Sequence, residues 1–381
     1  MASPSTHSHL LPLLILLTLS FLSSSLSKLN PREDFESWVS WNSKDYQRRV
    51  AIRTNSNNGE PAVGALDAKL KKAEQMKMRV TVSLDGDGDY ATIREALDSI
   101  PNSNTRRVVL LIKPGVYREK IVIPKSKRFI TFLGDRESAP VITGNDTAST
   151  KGPDGKSYST FHSATVAVNA DYFVAINIVF ENKAPYPEEG KPGGQAVALR
   201  VSGNKNAFYN CSFYGTQDTL YDHKGLHYFK NSFIQGSVDF IFGNGRSFYE
   251  NCTLNSIAKK VGFVTAQKQS SASMATGFSF LNSDIEGTGT VYLGRAWGEL
   301  SRVVFSYTFM DKVVPQGWSN WHAKHPQRSV YYGEYKCSGP GANWTSRVSW
   351  AHMLSDEEAQ PFLGTYYVYG DGWILSPSSF E

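Results

Sequence analysis

Residues 207–254 read AFYNCSFYGTQDTLYDHKGLHYFKNSFIQGSVDFIFGNGRSFYENCTL, and the spacing of their asparagines sets the fold. An Asn followed three positions later by a large apolar residue occurs at Asn210/Phe213, Asn231/Ile234 and Asn251/Leu254, and again outside the stretch at Asn177/Phe180 and Asn282/Ile285. The asparagines are 33, 21, 20 and 31 residues apart. A 20–21 residue period with variable insertions is too short for a pair of helices but fits one coil of a solenoid. Aromatic runs AFY (207–209), HYF (227–229) and SFY (247–249) precede three of these positions, which suits strands. Tandem hairpins would need Asn-Gly or Gly-x turns at regular places, and such turns are not regularly placed here. The pattern predicts an all-β fold: a right-handed parallel β-helix, with the asparagines stacked as a ladder at an inner turn.

Working outward, short β-rich runs at 80–84, 107–113, 119–124 and 128–133 extend the solenoid toward the N-terminus. Ala91, Ile93, Ala96, Leu97 and Ile100 keep helical spacing, so a short helix is expected over about 90–100. Residues 28–79 are polar and carry eleven Lys/Arg against seven Asp/Glu, most of the +5 net charge of the 381-residue chain. They read as a basic leader or loosely attached arm with one helix near 65–78. Residues 10–22, LLPLLILLTLSFL, are too short for a comfortable membrane span but suit a signal-peptide core, followed by serines at 23–25 and 27. The expected organisation is therefore a signal peptide over 1–27, the arm over 28–79 and the β-helix domain, with helical and loop segments packed at its C-terminal end, over 80–381. A secreted chain without a membrane segment after cleavage follows. The bulk of the chain has no basic surplus, so nucleic acid is not an expected partner.

Adjacent coils lie about 4.8 Å apart. Cys211 and Cys252 both follow a ladder Asn with the Ser232 coil between them, which predicts Cα atoms about 9.6 Å apart, beyond the ~7 Å reach of a disulfide. Three free thiols are expected, counting Cys337. Asn-x-Ser/Thr sequons begin at Asn145, Asn210, Asn251 and Asn343. With Asn210 and Asn251 pointing inward, glycan is expected only at Asn145 and Asn343.

The same register places chemistry. Asp218 lies eight residues after Asn210 and Asp239 eight after Asn231, so the two carboxylates should sit side by side, one rung apart. The coil before holds Ala196 in that row, with Gln195 ahead of it as Gln217 is ahead of Asp218. Two carboxylates that close should split their pKa values, one rising and one falling, which suits an acid and a nucleophile. A solvated acidic patch is the bland alternative, and the spacing also fits a retaining glycosidase. Two amides, however, donate well to an oxyanion and have little use beside an oxocarbenium ion. Arg295, in LGRAW (293–297), can hold one aspartate ionised by a charge-assisted hydrogen bond.

These residues carry a resemblance. From about Val80 to the C-terminus the chain resembles the plant pectin methylesterases through GVYREK (115–120), QAVALR (195–200), YGTQDTLYD (214–222), GSVDFIFGN (236–244) and LGRAW (293–297). The Gly-Trp-x-x-Trp of Gly317–Trp321, YYGEY (331–335) and GPG (339–341) also fit. The resemblance implies hydrolysis of methyl esters of cell-wall homogalacturonan to pectate and methanol. Asp239 would be the nucleophile and Asp218 the acid, then base. Gln217 and Gln195 would form the oxyanion hole, with Arg295 orienting Asp239 and lowering its pKa. Tyr221, Phe242, Trp297, Trp318 and Phe161 would line the polysaccharide cleft. It implies no metal and no organic cofactor, a monomer in the cell wall, and a proteinaceous pectinesterase inhibitor as a further partner. The arm is too short for the inhibitor-like pro-region of many relatives, so the resemblance is to the short form. Ala296 stands where the family usually has Pro, Gly194 where a His is common, and Ser232 where a Cys is frequent. Rival readings are another β-helix pectinase, a polygalacturonase or lyase, and a wall-binding protein without activity; the lyase would need a calcium-binding carboxylate cluster that the sequence does not assemble.

Overall fold

The computed structural model describes residues 40, 44–48, 66–188, 191–321 and 329–381. The expected signal peptide and most of the arm lie outside these residues. Among the described residues every ladder between strands is parallel, and the strands form an eleven-stranded sheet and a fourteen-stranded sheet. The fourteen-stranded sheet folds over two faces because Thr253–Gln267 runs through both and joins them. The result is a three-faced right-handed parallel β-helix. One coil runs from Leu220–Asp222 to Leu226–Lys230, turns at Asn231, and continues through Phe233–Gly236 to Ile241–Gly243.

The interior is filled by like residues repeating from rung to rung. Phe208, Phe229, Tyr249, Phe280 and Phe305 stack in one column with ring centroids 4.7, 4.6, 4.5 and 4.4 Å apart. Each such pair contributes about 0.5–1.5 kcal/mol beyond its burial, so the aromatic runs pin the register as well as fill the core. The N-terminal end is closed by the helix Ile93–Ser99, which Thr92 and Glu95 start with a capping box. Its Ile93, Ala96 and Leu97 enter the main core, as the periodicity predicts.

Two expectations need correction here. The ladder asparagines do not point inward. Asn210, Asn231, Asn251 and Asn282 are exposed, and with the buried Asn177 all five have left-handed backbone, φ 48–55°. Asn tolerates that conformation, which the sharp turn between two faces demands. The ladder exists on the outside: Asn210 donates to Asn177 Oδ1 at 2.7 Å and Asn251 to Asn231 Oδ1 at 3.3 Å. Burial therefore gives no reason to exempt Asn210 or Asn251 from glycosylation. The buried slot belongs to the next residue. Cys211 and Cys252 are buried and free, and Cys337 is free, as expected. Ser232 sits between the first two, its Oγ accepting from the Cys211 N–H at 3.3 Å.

Nor is the end of the arm loose. The helix there spans Ala68–Gln75, and the first strand begins at Met78. Leu70 and Ala73 pack on the outer face of the eleven-stranded sheet with Tyr209, Tyr228, Phe248, Phe362 and Trp373. Asp67 caps the helix and accepts from Tyr172 at 2.6 Å and Lys205 at 2.9 Å. C-terminal segments cover the rest of that face. Among the described residues no helix is long and apolar enough to cross a membrane.

Candidate active site

One outer face stays open. Its strands Val166–Val168, Leu199–Val201, Leu220–Asp222 and Ile241–Gly243, with the end of Thr253–Gln267, carry an apolar cluster of Ala167, Tyr221, Phe242 and Ala266 joined by Val197 just ahead of Leu199 and flanked by Phe161, Trp297 and Trp321. A cleft of about 440 Å³ runs over it, with Gln195, Gln217, Asp218, Asp239 and Arg295 among its walls. The structure thus brings together all five polar residues singled out from the sequence.

The register behind this holds. Gln217 bridges Val238 in parallel, and the Asp218 N–H donates to the Val238 carbonyl at 3.1 Å, so Asp218 and Asp239 occupy one row. The Ala196 N–H donates to the Gln217 carbonyl at 3.1 Å, which seats Gln195 beside Gln217 in the preceding coil. On the far side the row continues to Phe263, since Ile241 pairs with Thr265, and then to Tyr292, which pairs with Phe263. Both aspartates have left-handed backbone and are almost wholly buried, 8% and 6% exposed.

Arg295 grips Asp239 at two points, Nε to Oδ1 at 2.9 Å and Nη2 to Oδ2 at 2.7 Å. Its guanidinium lies between two rings, 4.3 Å from the centroid of Phe263 and 4.4 Å from that of Trp321. Burial pushes the Asp218 carboxyl well above the usual range and the Asp239 charge pushes it further, against Arg295 and a hydrogen bond from Gln217. Burial raises Asp239 too, opposed by the Arg295 hydrogen bonds and charge. The expected split is therefore not one rise and one fall. Both rise, because burial outweighs the ion pair, and Asp218 rises more because only Asp239 is paired directly with the cation. Of the two, the protonated form is favoured more strongly at Asp218.

Tyr221 and Phe242 stack at 4.2 Å, Trp297 tilts toward Phe242 at 6.1 Å, and Phe161 meets Tyr221 edge-on at 6.2 Å. Such a floor suits pyranose faces. Lys268 sits 4.1 Å over the Trp297 ring and Arg200 3.6 Å under Phe161. His223, held by Ser202 at 2.9 Å, is driven down to about 4 by burial and by Arg200, Lys224 and Lys268. Trp318 does not belong here. It is 1% exposed in the main core, stacked on Tyr332 at 4.3 Å, with its indole N–H on Glu334 at 2.9 Å. Arg347 completes that interior network with two bonds to Glu334 of 2.7 and 2.9 Å. Trp321 takes the place at the cleft, three residues on in the same Gly-Trp-x-x-Trp. Lys268, Ser159 and Thr160 also line it and were missed. Only the second Trp had a sequence signal.

One departure has a local explanation. A Cβ at Gly194 would lie 2.8 Å from Pro187 Cβ, so this loop has no room for the usual His. Ala296 is 4% exposed and packed in the core.

A parallel β-helix carrying an aromatic cleft with a buried carboxylate pair, two amides and a clamped arginine has the features of a polysaccharide-processing hydrolase. A family model described as Pectinesterase matches residues 79–371. Pectinesterase QRT1 of Arabidopsis thaliana is 42% identical over 363 residues, covering 92% of this chain and 94% of its own. Pectinesterase 31 of Arabidopsis thaliana is 45% identical over 297 residues, 76% of this chain and 92% of its own. The solved pectin methylesterase from carrot matches with a TM-score of 0.71 at 38% identity, covering 77% of this chain and 94% of that one. A pectin methylesterase solved in complex with a hexasaccharide matches at 0.66 and 26% identity, over 78% of this chain and 98% of that one. The chain belongs to the pectinesterase family. It is a carboxylic ester hydrolase of that family.

Proposed function

We propose that this enzyme removes methyl esters from homogalacturonan in the plant cell wall after secretion, with Asp239 as nucleophile and Asp218 as acid and base. The observation that carries the assignment is the two-point Arg295–Asp239 contact beside an unclamped, more strongly raised Asp218. The clamp favours the ionised form of Asp239, and because each oxygen accepts one bond from Arg295, each keeps a lone pair that can attack the ester carbonyl. The carbonyl oxygen becomes an oxyanion, and the Gln217 and Gln195 amides donate to it. As the intermediate collapses, the bond to methoxide breaks and Asp218 gives it a proton, so methanol leaves and an acyl anhydride remains on Asp239. Asp218, now a carboxylate, takes a proton from water, and the hydroxide attacks the anhydride carbonyl. The sugar carboxylic acid departs, Asp239 is restored as a carboxylate, and Asp218 again holds its proton. Tyr221, Phe242, Trp297, Phe161 and Trp321 bind the sugar chain. The enzyme works as a monomer, without metal or organic cofactor, and a proteinaceous inhibitor would act at the cleft mouth.

The test is to incubate purified protein with highly methylated pectin and assay methanol and reducing ends in the same tubes. Methanol without new ends is expected. New ends without methanol would overturn the reading in favour of a depolymerase, and the same assay on Asp239→Ala and Asp218→Ala should give no methanol from either.

A further inference from the structure

At the N-terminal end of the solenoid a second groove of about 410 Å³ shares no residue with the cleft. Lys69, Lys72, Ser103, Asn104, Arg128 and Phe129 line it. Its cations come from two segments held rigidly together. The helix Ala68–Gln75 turns Leu70 and Ala73 to the sheet, which leaves Lys69 and Lys72, also three apart, on a shared outward face. Asn104, 6% exposed, ties the adjoining turns: its Nδ2 donates to the carbonyls of Arg106 and Arg128, both at 2.7 Å, and its N–H to Ser126 at 3.2 Å.

The groove is electrically unbalanced. Lys69, Lys72 and Arg128, with Lys71, Arg106 and Lys125 around them, are exposed, and among the described residues none has a carboxylate at ion-pair distance. The nearby acids are committed elsewhere, Glu74 to Arg107 at 2.7 Å and Lys77 at 3.4 Å, and Asp67 to Lys205 at 2.9 Å. Uncompensated charge of one sign along a groove attracts a polyanion. The cations are strung over separate segments instead of converging on one point. That arrangement suits single charges spaced along a polymer better than one dense dianion.

We propose that this groove is a second, non-catalytic binding site for polygalacturonate, the carboxylate-bearing polymer that de-esterification produces; the inference rests on the substrate reading given above. Each ester cleaved adds one carboxylate to the polymer, so the site gains affinity for the same chain as the cleft works on it, and holds the enzyme to the region it has processed.

The experiment compares the full-length wild type with the K69Q/K72Q/R128Q variant on three readouts: dissociation constant for unesterified polygalacturonate across a salt series, methanol release from a short methyl-esterified oligogalacturonide, and thermal midpoint. Binding should weaken at least about tenfold with a shallower salt dependence, while oligomer turnover and midpoint stay as in wild type. Unchanged binding, or a wild type that does not bind the polymer, would overturn the proposal. So would a loss of oligomer turnover in step with binding, since the groove would then be part of the catalytic cleft. A wild type whose binding depends on the three residues but which releases no methanol would leave the groove assigned and count against the esterase reading alone.

Discussion

Asp218 and Asp239 share one unusual backbone conformation a single rung apart, with φ 61° and 51°. Aspartate is among the few residues that tolerate the left-handed region, though it costs on the order of 1 kcal/mol or more. Repeating the same bend in two successive coils makes both carboxylates leave the wall in the same direction. The pair is thus a product of backbone geometry first and of side-chain contacts second.

The clamp on Asp239 demands a planar fork, so Arg295→Lys should not be conservative. One point contact would replace two, and kcat for methanol release should fall on the order of 100-fold. With the clamp weakened, burial acts on Asp239 with less opposition and its pKa rises further. In the proposed mechanism Asp239 must be ionised to attack, so the acidic limb of the pH–rate profile should move to higher pH. A profile with an unmoved acidic limb would mean that Arg295 does not act through Asp239.

Asp218 should be held at the expense of stability. Its pKa is raised on folding, so its contribution is fully present below the unfolded value of about 3.9 and lost as pH rises through the folded value. Asp218→Asn removes that loss. Its thermal midpoint should exceed that of wild type at neutral pH, and the gap should close as the pH is brought down toward 4. Melting curves of both proteins across that range would check it, and a gap of the opposite sign would contradict the raised pKa.

The two tryptophans of Gly-Trp-x-x-Trp should separate cleanly. Trp318→Ala leaves a cavity and takes one of three hydrogen bonds from the buried Glu334, and should cost about 3–5 kcal/mol of stability by denaturant unfolding. Trp321→Ala should unfold much as wild type does, but with a raised KM and a lowered kcat, because it removes a cleft wall and one of the two rings holding Arg295. Equal destabilisation by both would refute the distinction.

Burial pushes the thiols of Cys211, Cys252 and Cys337 up to about 12. None should react within minutes with a thiol reagent at pH 8 in the native state, and three per chain should react in guanidinium chloride. A count of one would reveal a disulfide and break the register.

Much of this was legible in the sequence because a solenoid turns spacing into position. Counting from Asn210 and Asn231 was enough to place Asp218 beside Asp239, since each coil between those points has one length. What failed depended on direction and not on spacing. The period locates Asn210 at a turn but does not say that left-handed backbone points its side chain outward. Trp318 and Trp321 satisfy one motif, and only the parallel pairing of Gly294 with Trp318 shows which of them goes inside. The fall expected for Asp239 failed because a sequence displays the arginine but not the depth of burial. Lys268 carried no pattern at all; it reaches the cleft because the long strand Thr253–Gln267 ends beside Gly243.

The single row that runs from Ala196 through Asp218 and Asp239 to Phe263 makes the site sensitive to length in a way that few enzymes are. An exchange of side chains within the coil between the two aspartates leaves the count intact, and the carboxylates still meet. Loss of one residue from that coil would rotate Asp239 away from the cleft with every catalytic group still encoded. Insertions are tolerated where the coils already vary, between Asn177 and Asn210 and between Asn251 and Asn282. The two coils of 21 and 20 residues between them behave as a measured gauge, and the chemistry is written in its length.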